Sequence, residues 1–203
     1  GVVPGLNKPT TTKKVEEVIA EVFGAERAQL VWGSGTGALR WALMSTVKPG
    51  DAILVHEAPI YPTTQASVES MSLRPIRADY NDPASIAAVI AAHKDEIKGV
   101  LVQHTRQKID DRYDLETVIT QIKSLLPDVP VVTDDNYAAL KVKKIGCQAG
   151  AVLASFSCFK TLGPEGVGVV IGKKKYVDRV EKCQYSGGSQ IQGYQAMAVL
   201  RGL

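Results

Sequence analysis

The sequence lacks a long hydrophobic run, since no apolar stretch approaches the roughly 18 residues that a membrane-spanning helix requires. It also lacks an excess of one charge. Its 24 Lys and Arg residues face 21 Asp and Glu residues, and the net charge of +3 is too small and too dispersed to favour a nucleic-acid partner. No signal peptide is evident, although Gly1 need not be the natural start. We therefore expect neither a membrane segment nor a nucleic-acid interface.

Cysteine is scarce as well. Cys147, Cys158 and Cys183 are odd in number and lack the spacing of a metal site, so we expect no metal centre. Such a set suggests free thiols in a reducing compartment more than a disulfide framework, which predicts a cytoplasmic protein. With 45% hydrophobic and 22% charged residues, the 203-residue chain has the composition of a globular domain able to bury most of its apolar surface.

Seven short runs predict β-strands. They occupy residues 29–32, 52–56, 74–78, 99–103, 129–133, 151–156 and 166–171. Helical patterns separate several of them, and strands that alternate with helices indicate an α/β fold with a largely parallel sheet. The last two runs are joined by residues 157–165 alone, which is shorter than the dozen or so residues that a parallel crossover needs. We therefore expect this pair to be antiparallel or not adjacent.

The helical patterns have recognisable starts and ends. An irregular arm over residues 1–12 should lead into an amphipathic helix that begins near Lys13 and is closed by Gly24. Residues 38–44 predict a second helix. Asp82 and Asp114 are expected to cap two further helices, and residues 173–183 and 194–200 predict the last two.

A glycine-rich turn follows the first predicted strand, with the sequence Gly33-Ser34-Gly35-Thr36-Gly37. Glycines let the backbone approach an anion, amides at a helix start point towards it, and the two hydroxyls add donors. The turn therefore predicts a phosphate cradle. It is not a Walker A loop, because no Gly-Lys-Ser/Thr follows. A plain glycine turn made for close packing is the alternative.

Two other strand ends carry aromatic or polar side chains. Tyr61 lies in a segment stiffened by Pro59 and Pro62, where its ring could cover a flat heterocycle. As a lone aromatic residue it could equally be a half-buried packing residue. Five polar side chains in a row, from Gln103 to Gln107, follow the fourth strand and indicate either a loop or the edge of a ligand site.

A carboxylate and a lysine follow the fifth and sixth strands. Asp134 comes just past a buried strand, where a carboxylate is costly unless it is paired, and a protonated pyridine nitrogen would be such a partner. Alternatively, Asp134 or Asp135 caps a turn. Lys160 lies where ligands collect in open α/β sheets, and a lysine in a partly desolvated pocket becomes an amine nucleophile that can form a Schiff base. A solvated loop lysine is the alternative.

The four strand ends together offer an anion cradle, an aromatic lid, a carboxylate and a lysine. This constellation matches pyridoxal 5′-phosphate (PLP). The phosphate would lie at the glycine turn, the ring under Tyr61, the ring nitrogen at Asp134 and the aldehyde at Lys160.

The order of these motifs resembles the fold-type I PLP enzymes, and most closely the branch of the class V aminotransferases and the lyases of cysteine and methionine metabolism. The motifs are Ser34-Gly35-Thr36-Gly37, Pro59-Ile60-Tyr61-Pro62, Asp134-Asp135-Asn136-Tyr137 and Ser155-Phe156-Ser157-Cys158-Phe159-Lys160. The resemblance covers nearly the whole chain. It implies a three-layer αβα fold around a seven-stranded, mostly parallel mixed sheet.

The resemblance also implies a set of cofactor contacts. They are Ser34, Gly35, Thr36, Tyr61, Gln103, His104, Asp134, Tyr137, Ser155, Ser157 and Lys160. Lys160 would form the internal aldimine, Asp134 would pair with the pyridinium and Tyr61 would stack on the ring.

Two of the implied roles have two candidates each. Either Gln103 or His104 would lie near the 3-hydroxyl of the ring, and Ser157 or Ser155 would contact the phosphate.

The implied function is an enzyme that acts on an amino acid, with transamination favoured over β- or γ-elimination by a carbon–sulfur lyase. Residues 1–203 resemble the large domain alone, without the smaller C-terminal domain that usually supplies the arginine for the substrate carboxylate. The loop from Ser186 to Gln190 resembles one that lies near the neighbouring subunit's active site, which implies a homodimer.

Two other classes of function remain open. The glycine turn is close to G-x-G-x-x-G, and Glu57 ends the next strand about where a ribose-binding acid belongs, so an NAD-type dinucleotide-binding domain is an alternative. The third glycine is misplaced for that motif. The chain could also be a non-catalytic binding module on the same fold.

Overall fold

The computed structural model describes residues 1–105 and 107–203. Arg106, a member of the polar run after the fourth predicted strand, lies outside the described residues. The chain begins with a small antiparallel hairpin of β1 (Val2–Val3) and β2 (Lys8–Pro9), in which Val3 pairs with Lys8. The expectation of an irregular arm is therefore wrong for these residues, because the hairpin is stabilised by contacts with distant parts of the chain.

All seven predicted strands are present in one mixed sheet. They are β3 (Arg27–Trp32), β4 (Ala52–His56), β5 (Arg74–Ala78), β6 (Ile97–Gln103), β7 (Val131–Asp134), β8 (Leu153–Ser157) and β9 (Val167–Gly172). Their order across the sheet is β3-β9-β8-β7-β6-β4-β5. Strands β4 to β8 are mutually parallel, whereas β9 is antiparallel to both of its neighbours. The antiparallel pairing that the short connection predicted is confirmed.

Seven α-helices surround the sheet in the described part of the chain. They are α1 (Thr10–Val22), α2 (Ser34–Thr46), α3 (Pro62–Ser70), α4 (Pro83–His93), α5 (Leu115–Leu125), α6 (Lys174–Cys183) and α7 (Gly193–Leu200). The predicted caps are confirmed, because Asp82 accepts a hydrogen bond from the Ala84 amide and Asp114 accepts one from the Thr117 amide, both at 2.9 Å. Helix α3 was not predicted from the sequence.

The helices cover both faces of the sheet. Leu30 and Phe156 face a core cluster that includes Ile19 of α1, while Val31, the next residue along β3, faces a cluster with Leu39 of α2. This alternation is the two-residue period of a strand buried on both sides. The predicted three-layer αβα fold is confirmed. Within the described residues, no helix combines the length and apolar character that crossing a membrane would need.

The topology gathers several loops at one edge of the sheet. Parallel strands β4, β6, β7 and β8 all end there, and register pairs Gln103 of β6 with Asp134 of β7, and Asp134 with Ser155 of β8. Because β9 runs the other way, its first residues lie at the same edge. There the Gly166 carbonyl accepts hydrogen bonds from the Gly33 and Ser34 amides at 2.9 and 3.0 Å. The glycine turn is thereby fixed beside the strand ends.

Candidate active site

A cleft of about 230 Å³ opens at this edge of the sheet. Residues from five segments of the chain line it: Ser34, Gly35, Thr36, Tyr61, Gln103, Thr105, Asp134, Asn136, Tyr137, Ser157, Phe159 and Lys160. Nine of the eleven residues that the sequence predicted as cofactor contacts are in this set. Ligands are expected at this place in an open α/β sheet.

One end of the cleft is the start of α2. Gly33 caps the helix in the left-handed region, with φ of 93°, and Ser34 follows with φ of 57°. The first amides of a helix have no acceptor within it, and the helix dipole favours an anion at this end. Gly35 has no room for a side chain, because a Cβ atom there would lie 1.9 Å from Oδ1 of Asn136. The turn thus combines free donor capacity with close backbone approach, as anion binding requires.

Three polar atoms at the cleft are buried without a hydrogen-bond partner among the described residues: Ser34 Oγ, Ser157 Oγ and Asn136 Oδ1. A buried polar group without a partner costs free energy, and most such groups in folded proteins are paired. Two of these three are hydroxyls close to the start of α2. They could donate to the oxygens of a phosphate group, which would remove the penalty.

Asp134 forms the floor of the cleft. Its Oδ1 accepts a hydrogen bond from the Asn136 amide at 3.0 Å. Desolvation raises the pKa of Asp134 to about 6, and the nearby charge of Asp135 adds to the rise. A carboxylate in this environment would be stabilised by a cationic partner.

Asp135 has a different role from its neighbour. It is fully buried and accepts hydrogen bonds from His104 Nδ1 at 2.6 Å, Thr133 Oγ1 at 2.5 Å and the Gly146 amide at 3.1 Å. Because these donors occupy its carboxylate oxygens, Asp135 anchors the turn after β7. Asp134, the residue predicted to pair with a pyridinium nitrogen, is the one that lines the cleft.

Two predicted cofactor contacts do not line the cleft. His104 is engaged with Asp135, as its position one residue beyond Gln103 turns it to the other side of the chain. Ser155 is buried inside the sheet, and its hydroxyl donates to the Thr133 carbonyl at 3.0 Å. In each of the pairs that the sequence could not separate, the other member, Gln103 or Ser157, lies at the cleft.

Lys160 enters the cleft from the short 3₁₀ turn Cys158–Thr161, which directly follows β8. Its Nζ donates a hydrogen bond to the hydroxyl of Tyr137 at 3.0 Å. The same nitrogen lies 4.2 Å from the ring centre of Tyr137 and 4.5 Å from that of Phe159, so two aromatic faces hold the amine by cation–π contact. The lysine is therefore directed by specific partners and is more than a solvated loop residue.

Three residues at the cleft were not singled out from the sequence: Thr105, Asn136 and Phe159. Asn136 and Phe159 lie within the quoted motifs, and Thr105 lies in the polar run after β6, so a weak signal was present for each. Thr105 accepts a hydrogen bond from Gln103 Nε2 at 3.3 Å. Only the fold decides which residues of such a run face a ligand.

The donor set of the cleft suits PLP. The start of α2 and two unpaired hydroxyls suit a phosphate, Asp134 suits a protonated ring nitrogen, and Lys160 supplies an amine for an aldehyde. Tyr61, on the loop before α3, supplies an aromatic ring at the cleft wall.

Comparison with known protein sequences gives an independent result. A family model described as aminotransferase class-V matches residues 6–198. The protein YhfS of Escherichia coli (strain K12) is 49% identical over 203 residues, which is 100% of this chain and 55% of that protein. The cysteine desulfurase IscS of Stutzerimonas stutzeri (strain A1501) is 25% identical over 197 residues, or 92% of this chain and 48% of that protein. The chain spans about half the length of these curated relatives.

Solved structures show the same fold. The crystal structure of the pyridoxal-5′-phosphate dependent protein YhfS from Escherichia coli has a TM-score of 0.95 to this chain at 49% identity, covering 100% of this chain and 55% of that one. Cystathionine gamma synthase from Xanthomonas oryzae pv. oryzae, in complex with aminoacrylate and cysteine, has a TM-score of 0.79 at 23% identity. The match covers 97% of this chain and 51% of that one, and at this identity it concerns the fold alone.

Proposed function

The chain belongs to the aminotransferase class-V family, and from this premise we propose that it binds PLP in the cleft at the edge of the sheet. Residues 1–203 would form the cofactor-binding large domain of an enzyme that acts on an amino acid. The observation that carries the proposal is that Asp134 and Lys160 line one cleft together with the unpaired hydroxyls of Ser34 and Ser157.

The phosphate of the cofactor would be held at the start of α2. The amides of Gly35 and Thr36 and the hydroxyls of Ser34 and Ser157 would donate to its oxygens, which would give the unpaired hydroxyls their missing partner. Thr36 Oγ1 also donates to Thr63 Oγ1 at 3.1 Å, so the anion site is tied to the first turn of α3 beside Tyr61.

Asp134 would hold a proton on the ring nitrogen. Above pH 6 the carboxylate is ionised but poorly solvated, since desolvation has raised its pKa to about 6. A cationic nitrogen next to it would therefore be stabilised and would in turn lower that pKa. Gln103, paired with Asp134 in the register of β6 and β7, would lie near the 3-hydroxyl.

Lys160 would carry out the proton transfers. When bound, PLP supplies an electron sink for the negative charge that develops on the α-carbon of an amino acid. Lys160 Nζ would hold the aldehyde and, once free, would accept and return the α-proton of the substrate. The Tyr137 hydroxyl, 3.0 Å from Nζ, would orient the amine towards the cleft.

We propose transamination as the reaction, because the family model that matches residues 6–198 describes aminotransferases. Elimination by a β- or γ-lyase acting on a carbon–sulfur bond is the second candidate, because a cysteine desulfurase, an enzyme that also removes sulfur from an amino acid, is 25% identical over 92% of this chain. Transamination conserves the amino group, whereas elimination releases ammonia. Assays of ammonia release from cysteine and of oxo-acid exchange between amino acids would therefore separate the two.

The other two alternatives explain less. A dinucleotide-binding domain would leave the shared cleft of Lys160 and Asp134 without a role, and a non-catalytic binding module would leave the directed amine of Lys160 without one. Uptake of PLP, which gives a coloured protein, would count against the dinucleotide-binding domain, and activity on an amino acid would count against the non-catalytic module.

We further propose that the protein is a homodimer in the cytoplasm. Its three cysteines are free thiols, which suits a reducing compartment. Tyr185, Tyr194 and Met197 are exposed near the loop that resembles an intersubunit segment, and exposed apolar side chains of this kind suit an interface. Sedimentation equilibrium would test the dimer, and a monomer at micromolar concentration would refute it.

Replacement of Lys160 tests the central assignment. The wild-type chain should take up PLP, and borohydride reduction followed by peptide mass spectrometry should locate the cofactor on Lys160. Lys160→Ala should lose this covalent label completely. Lys173→Ala is the control, because Lys173 forms a surface ion pair with Glu26 at 2.8 Å and does not line the cleft. A label on another lysine, or none in the wild type, would refute the assignment.

A further inference from the structure

A second polar cluster lies behind the cleft and has no part in the chemistry proposed above. It centres on His56, the last residue of β4, and Asp111, in the segment between β6 and α5. Both side chains are buried. The rings of His56, Tyr80 and Tyr113 pack together with centre distances of 5.2 to 5.8 Å.

The hydrogen bonds of His56 define its protonation. Its Nδ1 accepts a hydrogen bond from the Tyr80 amide at 3.1 Å, so this nitrogen carries no proton. Its Nε2 must then carry the proton of the neutral ring and donate it to Oδ1 of Asp111 at 2.8 Å. The end of β4 is thus connected to Asp111 with one orientation of the ring.

Asp111 joins several pieces of the chain. Its Oδ2 accepts hydrogen bonds from the amides of Gln107 and Lys108 at 2.9 and 2.7 Å, and its Oδ1 accepts a further one from Asn81 Nδ2 at 3.1 Å. Burial opposes ionisation, but these donors together with His56 outweigh it and hold the pKa of Asp111 well below its usual range. Asp111 is therefore a charged anchor for the loop after β6.

The anchored loop forms one wall of the cleft, through Gln103 and Thr105. Tyr113 extends the anchoring, because its hydroxyl donates to the Gln103 carbonyl at 2.6 Å. Gln107 Nε2 donates to the Pro59 carbonyl at 3.2 Å and so connects this loop to the one that carries Tyr61.

The cluster also borders the floor of the cleft. A cavity of about 20 Å³, room for about one water molecule, is lined by His56, Gln107 and Asp134 among others. His56 therefore lies close to the floor of the cleft and is bonded, through Asp111, to the loop after β6.

We propose that His56 and Asp111 are positioning residues, which set the two cleft walls that carry Tyr61, Gln103 and Thr105 at the spacing that PLP requires. This inference rests on the proposed function. Neither residue lines the cleft, so neither would touch the cofactor. Each acts through the loops that it holds.

Two variants and one matched control test the inference. His56→Phe keeps an aromatic ring between Tyr80 and Tyr113 but removes the bonds to Asp111 and to the Tyr80 amide. Asp111→Asn keeps the shape but places an NH₂ group against a donor. Tyr80→Phe is the control, since its hydroxyl donates only to the Leu101 carbonyl, at 3.1 Å, within the same aromatic cluster. All three lose buried hydrogen bonds, but only the first two release the loop.

Two measurements separate positioning from general loss of stability. In the cofactor-free protein, hydrogen exchange of the Gln107 and Lys108 amides should be faster in His56→Phe and Asp111→Asn than in the wild type, and unchanged in Tyr80→Phe. The dissociation constant for PLP, titrated well below each melting temperature, should rise about tenfold in the two variants, which is the lower end of the losses found when hydrogen-bond partners of metal ligands are removed. It should stay within about twofold of the wild-type value in the control, an allowance of less than 0.5 kcal/mol.

The outcomes distinguish this inference from the proposed function. A wild-type chain that takes up no PLP would refute the proposed function and this inference with it. If the wild type binds PLP and the two variants bind it equally well, only the positioning role is refuted, even where the exchange is faster. Equal weakening in Tyr80→Phe would also refute it. Should Asp111→Asn fail to fold, His56→Phe alone decides the result.

Discussion

Two polar clusters lie at different places around the same sheet, and their hydrogen bonding is opposite in kind. In the cleft, Ser34, Ser157 and Asn136 each bury a polar atom that has no partner among the described residues. In the cluster around Lys8, which is fully buried, the ammonium group donates to Glu16 Oε2, Gln29 Oε1 and Glu181 Oε1 at 2.8, 2.7 and 2.6 Å. All three donors of this ammonium group are therefore used.

The Lys8 cluster holds four parts of the chain together. It joins the N-terminal hairpin to α1, β3 and α6, and Glu16 Oε1 also accepts a hydrogen bond from the Leu30 amide at 2.9 Å. Burial raises the pKa of Glu16 to about 7, against the opposing effect of Lys8. Among the described residues, one buried polar side-chain atom outside the cleft has no hydrogen-bond partner, and it is Oε1 of Gln190. The Nε2 of Gln190 donates to the Gln184 carbonyl beside this cluster.

The difference indicates what each cluster is for. A saturated buried network can only stabilise or specify the fold, because it has no capacity left for a ligand. Unpaired donors at a helix start, beside a desolvated carboxylate, lower stability unless something binds them. Substitutions in the two clusters should therefore have opposite effects on the free energy of unfolding.

The largest expected effect is in the saturated cluster. Lys8→Met should lower the free energy of unfolding by about 3–5 kcal/mol, because it leaves Glu16 buried without its cation, whereas Glu181 keeps its ion pair with Arg27. Lys8 lowers the pKa of Glu16, so without Lys8 that carboxyl should take up its proton at a higher pH than in the wild type, and part of the loss should be recovered as the pH falls towards 7. Urea denaturation at several pH values would measure both effects.

The control for Lys8 is Lys13→Met, which removes an exposed pair with Glu17 at 3.9 Å. We expect it to change the free energy of unfolding by less than about 0.5 kcal/mol. An equally small loss for Lys8→Met would remove the distinction between the two clusters.

A smaller effect of opposite sign is expected at the cleft floor. Asp134 has a folded-state pKa raised to about 6, so its ionisation opposes folding increasingly as the pH rises from about 4 to 6, and fully above 6. Asp134→Asn should therefore stabilise the cofactor-free chain by about 1–2 kcal/mol at pH 8, since each unit of pKa shift corresponds to about 1.4 kcal/mol and a weaker bond from the Asn136 amide offsets part of the gain. At pH 3.5 the gain should disappear.

Binding should show the reverse. Asp134→Asn removes the partner of the ring nitrogen, so PLP affinity should fall while stability rises, which calorimetry and PLP titration on one sample would test. A variant that is both less stable than the wild type at pH 8 and unchanged in PLP affinity would contradict this account of Asp134.

The smallest expected effect compares two serines on one strand. Ser157→Ala removes an unpaired buried hydroxyl and should leave stability unchanged or raise it by up to about 1 kcal/mol, while PLP binding weakens. Ser155→Ala removes the hydroxyl that donates to the Thr133 carbonyl, and should cost about 1 kcal/mol with PLP binding unchanged. Thermal melts should show Ser155→Ala to be the less stable variant, and PLP titrations should show Ser157→Ala to be the weaker binder. If the two variants change alike in both measurements, the unpaired hydroxyl has no special role.

The seven strands and the capped helices could be predicted because their signals are local. A strand buried on both faces shows a short apolar run, and Asp82 and Asp114 precede their helices by one residue. Helix α3 gave no such signal, since its buried residues are Thr64, Ser67 and Val68, two of which are polar. The hairpin was missed for a related reason, because Lys8 is buried by a partner 173 residues away.

The sequence by itself determined the fold class and the kinds of chemical group at the cleft, because apolar periodicity and motif order are properties of neighbouring residues. Only the tertiary structure decided which member of each ambiguous pair faces the cleft: Gln103 and not His104, Ser157 and not Ser155. The same holds for the hydrogen bonds that hold the cleft walls. The reason is physical: facing and hydrogen bonding depend on strand register and on partners far along the chain, which local sequence does not specify.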